Sequence, residues 1–302
     1  MASASEIRIR IASITETKKV TDAMYMISSV KMRKAKRGLD DTRPYFNALR
    51  EEIGELLTFF PETRNRYFRN TDAEGMRGRA LVLITSDKGL AGNYNQEAIR
   101  AAEQELLAHD DAMLFIVGEY GRQYFMNRKA RIADDFSFPA AFPTVYEAQR
   151  ICTELLEYYN DDVVDEIDLI FTDFHSGRPS TVQRQCLLPL EMSAFYAHEG
   201  APLPYGKRYL PDPDTVLNEI VPPYLTGFLY SALVESYSSE QNARMTAMQT
   251  AGTNAEDMLK RLRTEYNNVR QAAITNEIIE ISAGARALRE KKEKMQKEAS
   301  EI

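Results

Sequence analysis

Residues 239–281 read SEQNARMTAMQTAGTNAEDMLKRLRTEYNNVRQAAITNEIIEI, and this stretch decides the fold. Apolar or small residues return after three and then four positions, as in Met245, Met248, Gly252, Ala255 and Leu259. That spacing places them on one stripe of an α-helix. The last proline before this stretch is Pro223, so nothing in the sequence interrupts a helix from there to the end of the chain. A long C-terminal helix is therefore predicted.

The stripe continues toward earlier residues, and a matching stripe occupies the N-terminal segment. The C-terminal stripe comprises Leu217, Ile220, Tyr224, Gly227, Ser231, Val234, Ser238, Gln241, Met245, Met248, Gly252, Ala255, Leu259, Leu262, Tyr266, Val269 and Ala273, after which it shifts by one residue to Ile274, Ile278, Ile281, Ala285 and Leu288. The N-terminal stripe comprises Ile7, Ile11, Ile14, Lys18, Thr21, Tyr25, Ser28, Met32, Ala35, Leu39, Thr42, Phe46, Leu49, Ile53 and Leu56. Two long helices that pair through heptad seams are expected, the second reaching beyond the first.

Polar residues interrupt both seams, including Lys18, Thr21, Ser28, Ser231 and Gln241. Such residues are costly in the core of a tight dimer. They favour a helix pair that works inside the cavity of another protein. A plain antiparallel helical hairpin with a poor seam is the alternative.

The segment between the helices has a different texture. Short apolar runs at 79–85, 112–118 and 166–174 alternate with helical stretches at 93–107, 119–127 and 145–159, and 181–188 alternates as an antiparallel or edge strand does. This order predicts a small, largely parallel α/β sheet. The fold class is therefore α/β with long helices, in which two terminal helices flank an inserted α/β domain. We divide the chain into an N-terminal helix (1–60), an α/β head (76–212) and a C-terminal helix (213–302).

Composition limits the function classes. The 302 residues are 44% hydrophobic and carry a net charge of −7, so nucleic acid is not the natural partner of the whole chain. No apolar run approaches the 18 residues of a membrane span, and the first residues show neither a secretory signal nor a transit peptide. We expect a bacterial cytoplasmic protein. The basic cluster within 31–37 is either a solvated helix face or a surface for an acidic protein.

No catalytic or cofactor signature is evident. Cys152 and Cys186 have no paired spacing and are expected to be buried small hydrophobes, and the three histidines are scattered, so neither a metal site nor thiol chemistry is predicted. The turn Ser86–Gly92 follows a strand and opens a helix, where α/β sheets bind phosphates. It matches neither phosphate-loop pattern, and a glycine-dependent turn explains it as well.

Several segments together resemble one family. Lys18–Ala35 (KKVTDAMYMISSVKMRKA), Ser239–Met248 (SEQNARMTAM) and Tyr266–Ile281 (YNNVRQAAITNEIIEI) are similar to terminal signatures of the gamma subunit of F-type ATP synthase. Ser86–Gly92 (SDKGLAG) and 183–189 resemble its central ones. These segments occur in the family's order and together span nearly the whole chain.

The resemblance implies a rotor without catalytic residues, cofactors or metals. It implies one copy per complex, with the terminal helices forming an antiparallel coiled coil inside a hexamer of alpha and beta subunits. It also implies a Rossmann-like head against the epsilon subunit and the membrane c-ring, and a peripheral place on the cytoplasmic face of the bacterial inner membrane. The positions implied to contact or brace the lever and catch loop of beta are Met24, Lys31, Arg33, Lys34, Arg244, Arg270, Gln271, Thr275 and Glu277. Contacts with the ring are expected near 205–213.

Two departures from the family concern the two terminal helices. Asp22 stands where a basic residue is usual, which alters the charge beside Met24, and a charged tail extends beyond Gly284. Two other classes remain open: a coiled-coil scaffold, which predicts a self-sufficient dimer, and a nucleotide-binding α/β enzyme, which predicts that the head binds a phosphate ligand at Ser86–Gly92.

Overall fold

The computed structural model describes residues 3–63, 65–68, 78–128, 130–175, 178–195 and 209–300, with side chains to residue 289. The elements in chain order are α1 (Ala4–Phe59), β1 (Arg79–Ile84), α2 (Tyr94–Ala108), β2 (Met113–Val117), α3 (Glu119–Met126), α4 (Val145–Asn160), β3 (Glu166–Thr172), β4 (Val182–Leu188), a 3-10 turn (Met192–Ala194) and α5 (Pro213–Ser300). The predicted fold class is confirmed, and each predicted strand and inner helix lies within two residues of its expected place.

The chain divides into two compact units. We call residues 1–24 with 248–302 the terminal unit, and residues 25–247 the central unit. Each unit contains part of α1 and part of α5, and in each the two helices are antiparallel. The division at 1–60, 76–212 and 213–302 follows helix limits rather than these units, and stays a prediction.

The central unit holds a four-stranded sheet in the order β2-β1-β3-β4. The strand β1 pairs in parallel with both β2 and β3, whereas β4 is antiparallel to β3 and lies at the edge. All seven residues of β3 are buried, as expected of a strand covered on both faces. A single apolar core joins one face of the sheet to α4 and to the facing sides of α1 and α5.

One turn of the sheet depends on glycine. Gly118, between β2 and α3, has a φ of 97°, and a Cβ there would lie 2.4 Å from the carbonyl oxygen of Thr85. Gly121 donates its amide N–H to the Thr85 hydroxyl at 3.0 Å. The close approach of these glycines fixes the carboxyl end of β1 against α3, and the turn Ser86–Gly92 starts from there.

The described residues of the terminal unit form a pair of helices. Ile7, Met248, Ala255 and Leu259 are buried between α1 and α5. Gly252 is also buried, and a Cβ on it would meet only Asp22 Oδ1 at 3.4 Å and Thr21 Oγ1 at 3.6 Å. Small residues therefore let the two backbones approach while leaving little apolar area in the seam.

Candidate subunit-contact surfaces

The predicted seams describe the helix pairing well. Every position of the N-terminal stripe is buried or partly buried except Tyr25, which is 37% exposed. The C-terminal stripe is buried or partly buried from Leu217 to Val269. Lys18 lies at the border of the seam and pairs with Glu256 at 3.2 Å. Polar seam residues are thus accommodated within the helix pair.

Beyond Val269 the C-terminal helix carries an uncovered apolar stripe. All side chains from 270 to 289 are exposed, among them Ile274, Ile278, Ile281 and Leu288. Arg270, Gln271, Thr275 and Glu277 lie on this same open stretch, and the Thr275 hydroxyl donates to the Gln271 carbonyl oxygen at 2.9 Å. Four of the predicted contact residues are therefore brought together on one accessible helix segment.

The other predicted contacts lie on α1. Met24 is partly buried in the terminal unit, while Arg33 and Lys34 are exposed in the central unit. Lys31 lies over the Phe142 ring, with Nζ 5.0 Å from its centroid, and Lys36 lies over Phe174 at 3.8 Å. The basic cluster therefore divides into two sets. Lys31 and Lys36 have aromatic partners in the head, whereas Arg33 and Lys34 are exposed.

Arg244 differs from the other predicted contacts because it is buried. Its Nη1 donates to Glu240 Oε1 at 2.5 Å, and its Nη2 donates to the carbonyl oxygens of Lys88 and Gly89 at 3.1 and 2.9 Å. Only 8% of Arg244 and 6% of Glu240 is exposed. Burial raises the pKa of Glu240 and nearby Asp87 adds to the rise, while Arg244 and Lys31 oppose it. This buried pair was not foreseen from the sequence.

The turn Ser86–Gly92 bonds to a guanidinium group and to backbone amides of the same chain. Two of its carbonyl oxygens face Arg244. The Asp87 carboxylate accepts the amide N–H groups of Glu119, Ala140 and Ala141 at 3.2, 3.0 and 2.9 Å. Phosphate sites present free backbone N–H groups to the ligand, whereas here an aspartate takes three neighbouring ones. This chemistry argues against the nucleotide-binding alternative.

A second charge cluster lies on the sheet, and its carboxylates Glu166 and Asp168 are buried. Arg79 pairs with Glu166 at 2.7 Å, and Arg184 pairs with Asp168 at 2.8 Å and Glu105 at 2.9 Å. Glu166, Asp168 and Cys186 could by distance ligate one metal ion. Two arginines, however, already neutralise those carboxylates, so the donor set does not suit a cation.

The cysteine prediction is half right. Cys152 is buried, and desolvation raises its thiol pKa to about 11, as expected of an unreactive core residue. Cys186 is exposed, so its predicted burial is wrong. The reason is positional, because four successive residues of the edge strand β4, Gln183 to Cys186, all stay exposed.

The family model described as ATP synthase matches residues 3–288. The ATP synthase gamma chain of Acetivibrio thermocellus is 38% identical over 298 residues, covering 96% of this chain and all of the relative. This chain belongs to the ATP synthase gamma chain family.

Further relatives agree with this assignment. The sodium ion specific ATP synthase gamma chain of Acetobacterium woodii is 33% identical, covering 94% of this chain and 98% of the relative. A chain of the Euglena gracilis mitochondrial ATP synthase rotor has a TM-score of 0.60 at 13% identity, covering 90% of this chain and 98% of its own. Another Euglena structure, of the F1/c-ring assembly, gives 0.62 at 14% identity and covers 94% of each chain. These structures show a shared fold.

The expected ring contact and the charged tail lie at the two ends of the described segment 209–300. Residues 205–208 of the predicted ring contact at 205–213 lie outside the described residues. The family match ends at residue 288, and the charged tail continues as helix to Ser300. Among the described residues, no helix combines the length and the apolar character that a bilayer crossing requires.

Proposed function

We propose that this chain is the central rotor shaft of an F-type ATP synthase. It couples ion-driven rotation of the membrane c-ring to conformational cycling of the catalytic beta subunits, in ATP synthesis or hydrolysis, and is itself non-catalytic. The observation that carries the proposal is near-complete coverage by relatives named ATP synthase gamma chain, at 38% identity for the Acetivibrio protein.

The open end of α5 supports a partner that surrounds it. An isolated helix is marginal in water and is stabilised mostly by burying an apolar face. The stripe Ile274, Ile278, Ile281 and Leu288 is exposed in the chain by itself. A cavity formed by alpha and beta subunits would cover it, and a rotor turning there needs no permanent bonds to it.

Coupling follows from asymmetry. A helix pair presents a different surface to each of three beta subunits, so each orientation of the shaft favours a different state of each site through its contact free energy. We assign Met24, Lys31, Arg33 and Lys34 to the lever side, and Arg270, Gln271, Thr275 and Glu277 to the catch loop. Exposed Arg270 offers a planar fork for carboxylates there.

The remaining partners complete the assignment. The epsilon subunit and the c-ring bind the head, one copy of the chain serves each complex, and the complex lies on the cytoplasmic face of the bacterial inner membrane with this chain peripheral to it. Ion selectivity belongs to the ring.

Reconstitution tests the proposal. The chain is mixed with alpha and beta subunits of the same organism, and the mass and ATPase activity are measured. A complex of three alpha, three beta and one copy of this chain, active only when the chain is present, is expected. A stable homodimer that ignores alpha and beta would instead support the scaffold alternative.

A substitution at Met24 tests its lever role. Met24→Lys adds a charge facing the acidic lever that the family resemblance implies, so a charge contact should resist rotation and reduce ion transport per ATP hydrolysed. Met26→Lys is the matched control, because Met26 lies two residues away on a different face and is 69% exposed. Equal coupling in both variants and the wild type would contradict the assignment of Met24.

A further inference from the structure

We propose that Arg244 is a positioning residue that locks the turn Ser86–Gly92 to helix α5, and that rotation passes between α5 and the head through this lock. The turn lock comprises Arg244, Glu240 and the carbonyl groups of Lys88 and Gly89. The inference rests on the proposed function and assigns Arg244 a role within the chain instead of a contact with beta.

The lock is a charge-assisted joint between distant parts of the sequence. One guanidinium nitrogen of Arg244 bonds two successive carbonyl oxygens of the turn at 3.1 and 2.9 Å, and the other bonds Glu240 at 2.5 Å. Hydrogen bonds from an ionised donor are shorter and stronger than neutral ones. Glu240 lies one helical turn before Arg244 and holds its fork toward the carbonyls.

The turn is also connected to the rest of the head. Asp87 accepts amide N–H groups from the start of α3 and from residues 140 and 141. Asn95, in the first turn of α2, accepts the Ser86 amide N–H at 2.9 Å. A displacement of the turn therefore acts on three parts of the head, so the lock joins α5 to a branching point.

The same face of α5 has two further attachments. The Ser236 hydroxyl accepts the amide N–H of Thr172 at 3.0 Å, and the Ser239 hydroxyl donates to the Asp173 carbonyl oxygen at 3.2 Å. These two neutral bonds hold the end of a buried strand. Arg244 holds a turn, which has no ladder of its own to stiffen it, so its loss should change local stiffness more than the loss of either serine.

Burial separates Arg244 from the residues that we assign to beta. Arg270 and Arg33 are exposed, whereas 8% of Arg244 is accessible and both of its terminal nitrogens have partners inside the central unit. A side chain so placed acts on a neighbouring subunit through the surface that it shapes.

Hydrogen exchange of the free full-length chain tests the lock before any partner is present. In Arg244→Gln the amides of residues 86–92 should exchange at least about 10-fold faster, because the turn opens locally more often. Arg244→Lys keeps a charge beside Glu240 but loses the planar fork, so its exchange rate should lie between those of the wild type and Arg244→Gln. Arg263→Gln, at an exposed position of the same helix, should match the wild type. Unchanged exchange in Arg244→Gln would refute the lock.

A double variant separates positioning from stability. Glu240→Gln with Arg244→Gln leaves no buried unpaired carboxylate, so the chain should fold and assemble, yet the turn stays unlocked. In membranes we expect ion transport per ATP hydrolysed to fall at least about twofold, with ATPase activity retained. Wild-type coupling together with a loosened turn would overturn the transmission role alone. Failure of the wild-type chain to assemble would overturn the proposed function instead.

Discussion

The two units use the same pair of helices in opposite ways. In the central unit the facing sides of α1 and α5 contribute large buried side chains to the core of the sheet, including Ile53, Leu56, Leu217, Val221, Leu225 and Leu229. In the terminal unit the buried seam has few large side chains and contains Thr21, Gly252 and Ala255. Each fully buried leucine contributes about 1.5–3 kcal/mol, so the central unit has far more stability of its own.

This difference separates two tasks within one fold, internal packing and contact with neighbouring subunits. The central unit needs rigid internal packing, because the head and helix must move as one body. The terminal unit needs a surface that neighbouring subunits can cover and release. A more apolar seam between its own two helices would not contribute to that surface. Substitutions in the two units should therefore fail in different assays.

The largest effect is expected at the buried ion pair of the central unit. Removing one partner of such a pair costs about 3–5 kcal/mol, because a buried charge is left unpaired. Arg244→Gln should therefore lower the free energy of unfolding of the full chain by about that amount at pH 8. Arg263→Gln, which is exposed, should stay within about 0.5 kcal/mol of the wild type.

The same variant should show a defined pH dependence. The pKa of Glu240 is raised in the folded chain, so its ionised form disfavours folding, and removal of Arg244 raises that pKa further. Stability is then lost as the pH rises from the ordinary carboxyl pKa of about 4.3 through the raised value. The deficit in unfolding free energy of Arg244→Gln should be smaller at pH 5 than at pH 8, and nearby Asp87 contributes to the raised pKa of Glu240. A deficit independent of pH would exclude ionised Glu240 as its cause.

A glycine in the central seam should come next. A Cβ on Gly227 would lie 2.1 Å from Cδ1 of the Phe46 ring, so the ring must move. Gly227→Ala should cost about 1–3 kcal/mol by overpacking, even though alanine favours the helix. Adding Phe46→Leu to Gly227→Ala should recover part of the loss in chemical denaturation. Stability equal to the wild type would mean that α1 and α5 pack less tightly here than the structure shows.

A substitution on the exposed stripe of the terminal unit should impair assembly instead of folding. Ile278 is 59% exposed, so Ile278→Asp should change the unfolding free energy of the free chain by no more than about 0.5 kcal/mol. Association with alpha and beta should weaken at least about 10-fold, because a charge would enter an apolar contact. Ile278→Leu keeps the apolar surface and should assemble normally. Unimpaired assembly of the aspartate variant would show that this stripe stays in solvent.

How much of the structure can be predicted from the sequence depends on how far apart the contacting residues lie along the chain. Heptad spacing located both seams, because burial along a paired helix repeats locally every three or four residues. The strands were located because buried parallel strands are short apolar runs. Tyr25 is the exposed position of the N-terminal stripe, and the C-terminal stripe is exposed from Ala273 to Leu288 because α1 does not cover it there.

The sites that were missed depend on contacts far apart in sequence. Arg244 and Gly89 are 155 residues apart, and nothing local distinguishes a buried arginine from a solvated one. Glu240, four residues before Arg244, fits equally well an ordinary surface pair on a helix. Cys186 was misjudged for the same kind of reason, because the order of strands decides which one forms the edge.

The smallest effect is expected at Gly284, and it tests the contrast most directly. Nothing lies within 4 Å of a Cβ built on Gly284, so alanine gains helix propensity, about 0.5–1 kcal/mol, without a clash. In hydrogen exchange the amides around this residue should become about two- to fivefold slower in Gly284→Ala. The global unfolding free energy should not change, because an exposed helix end opens locally without the core. A gain in global stability would mean that this end unfolds together with the packed core, and the contrast between the units would then fail.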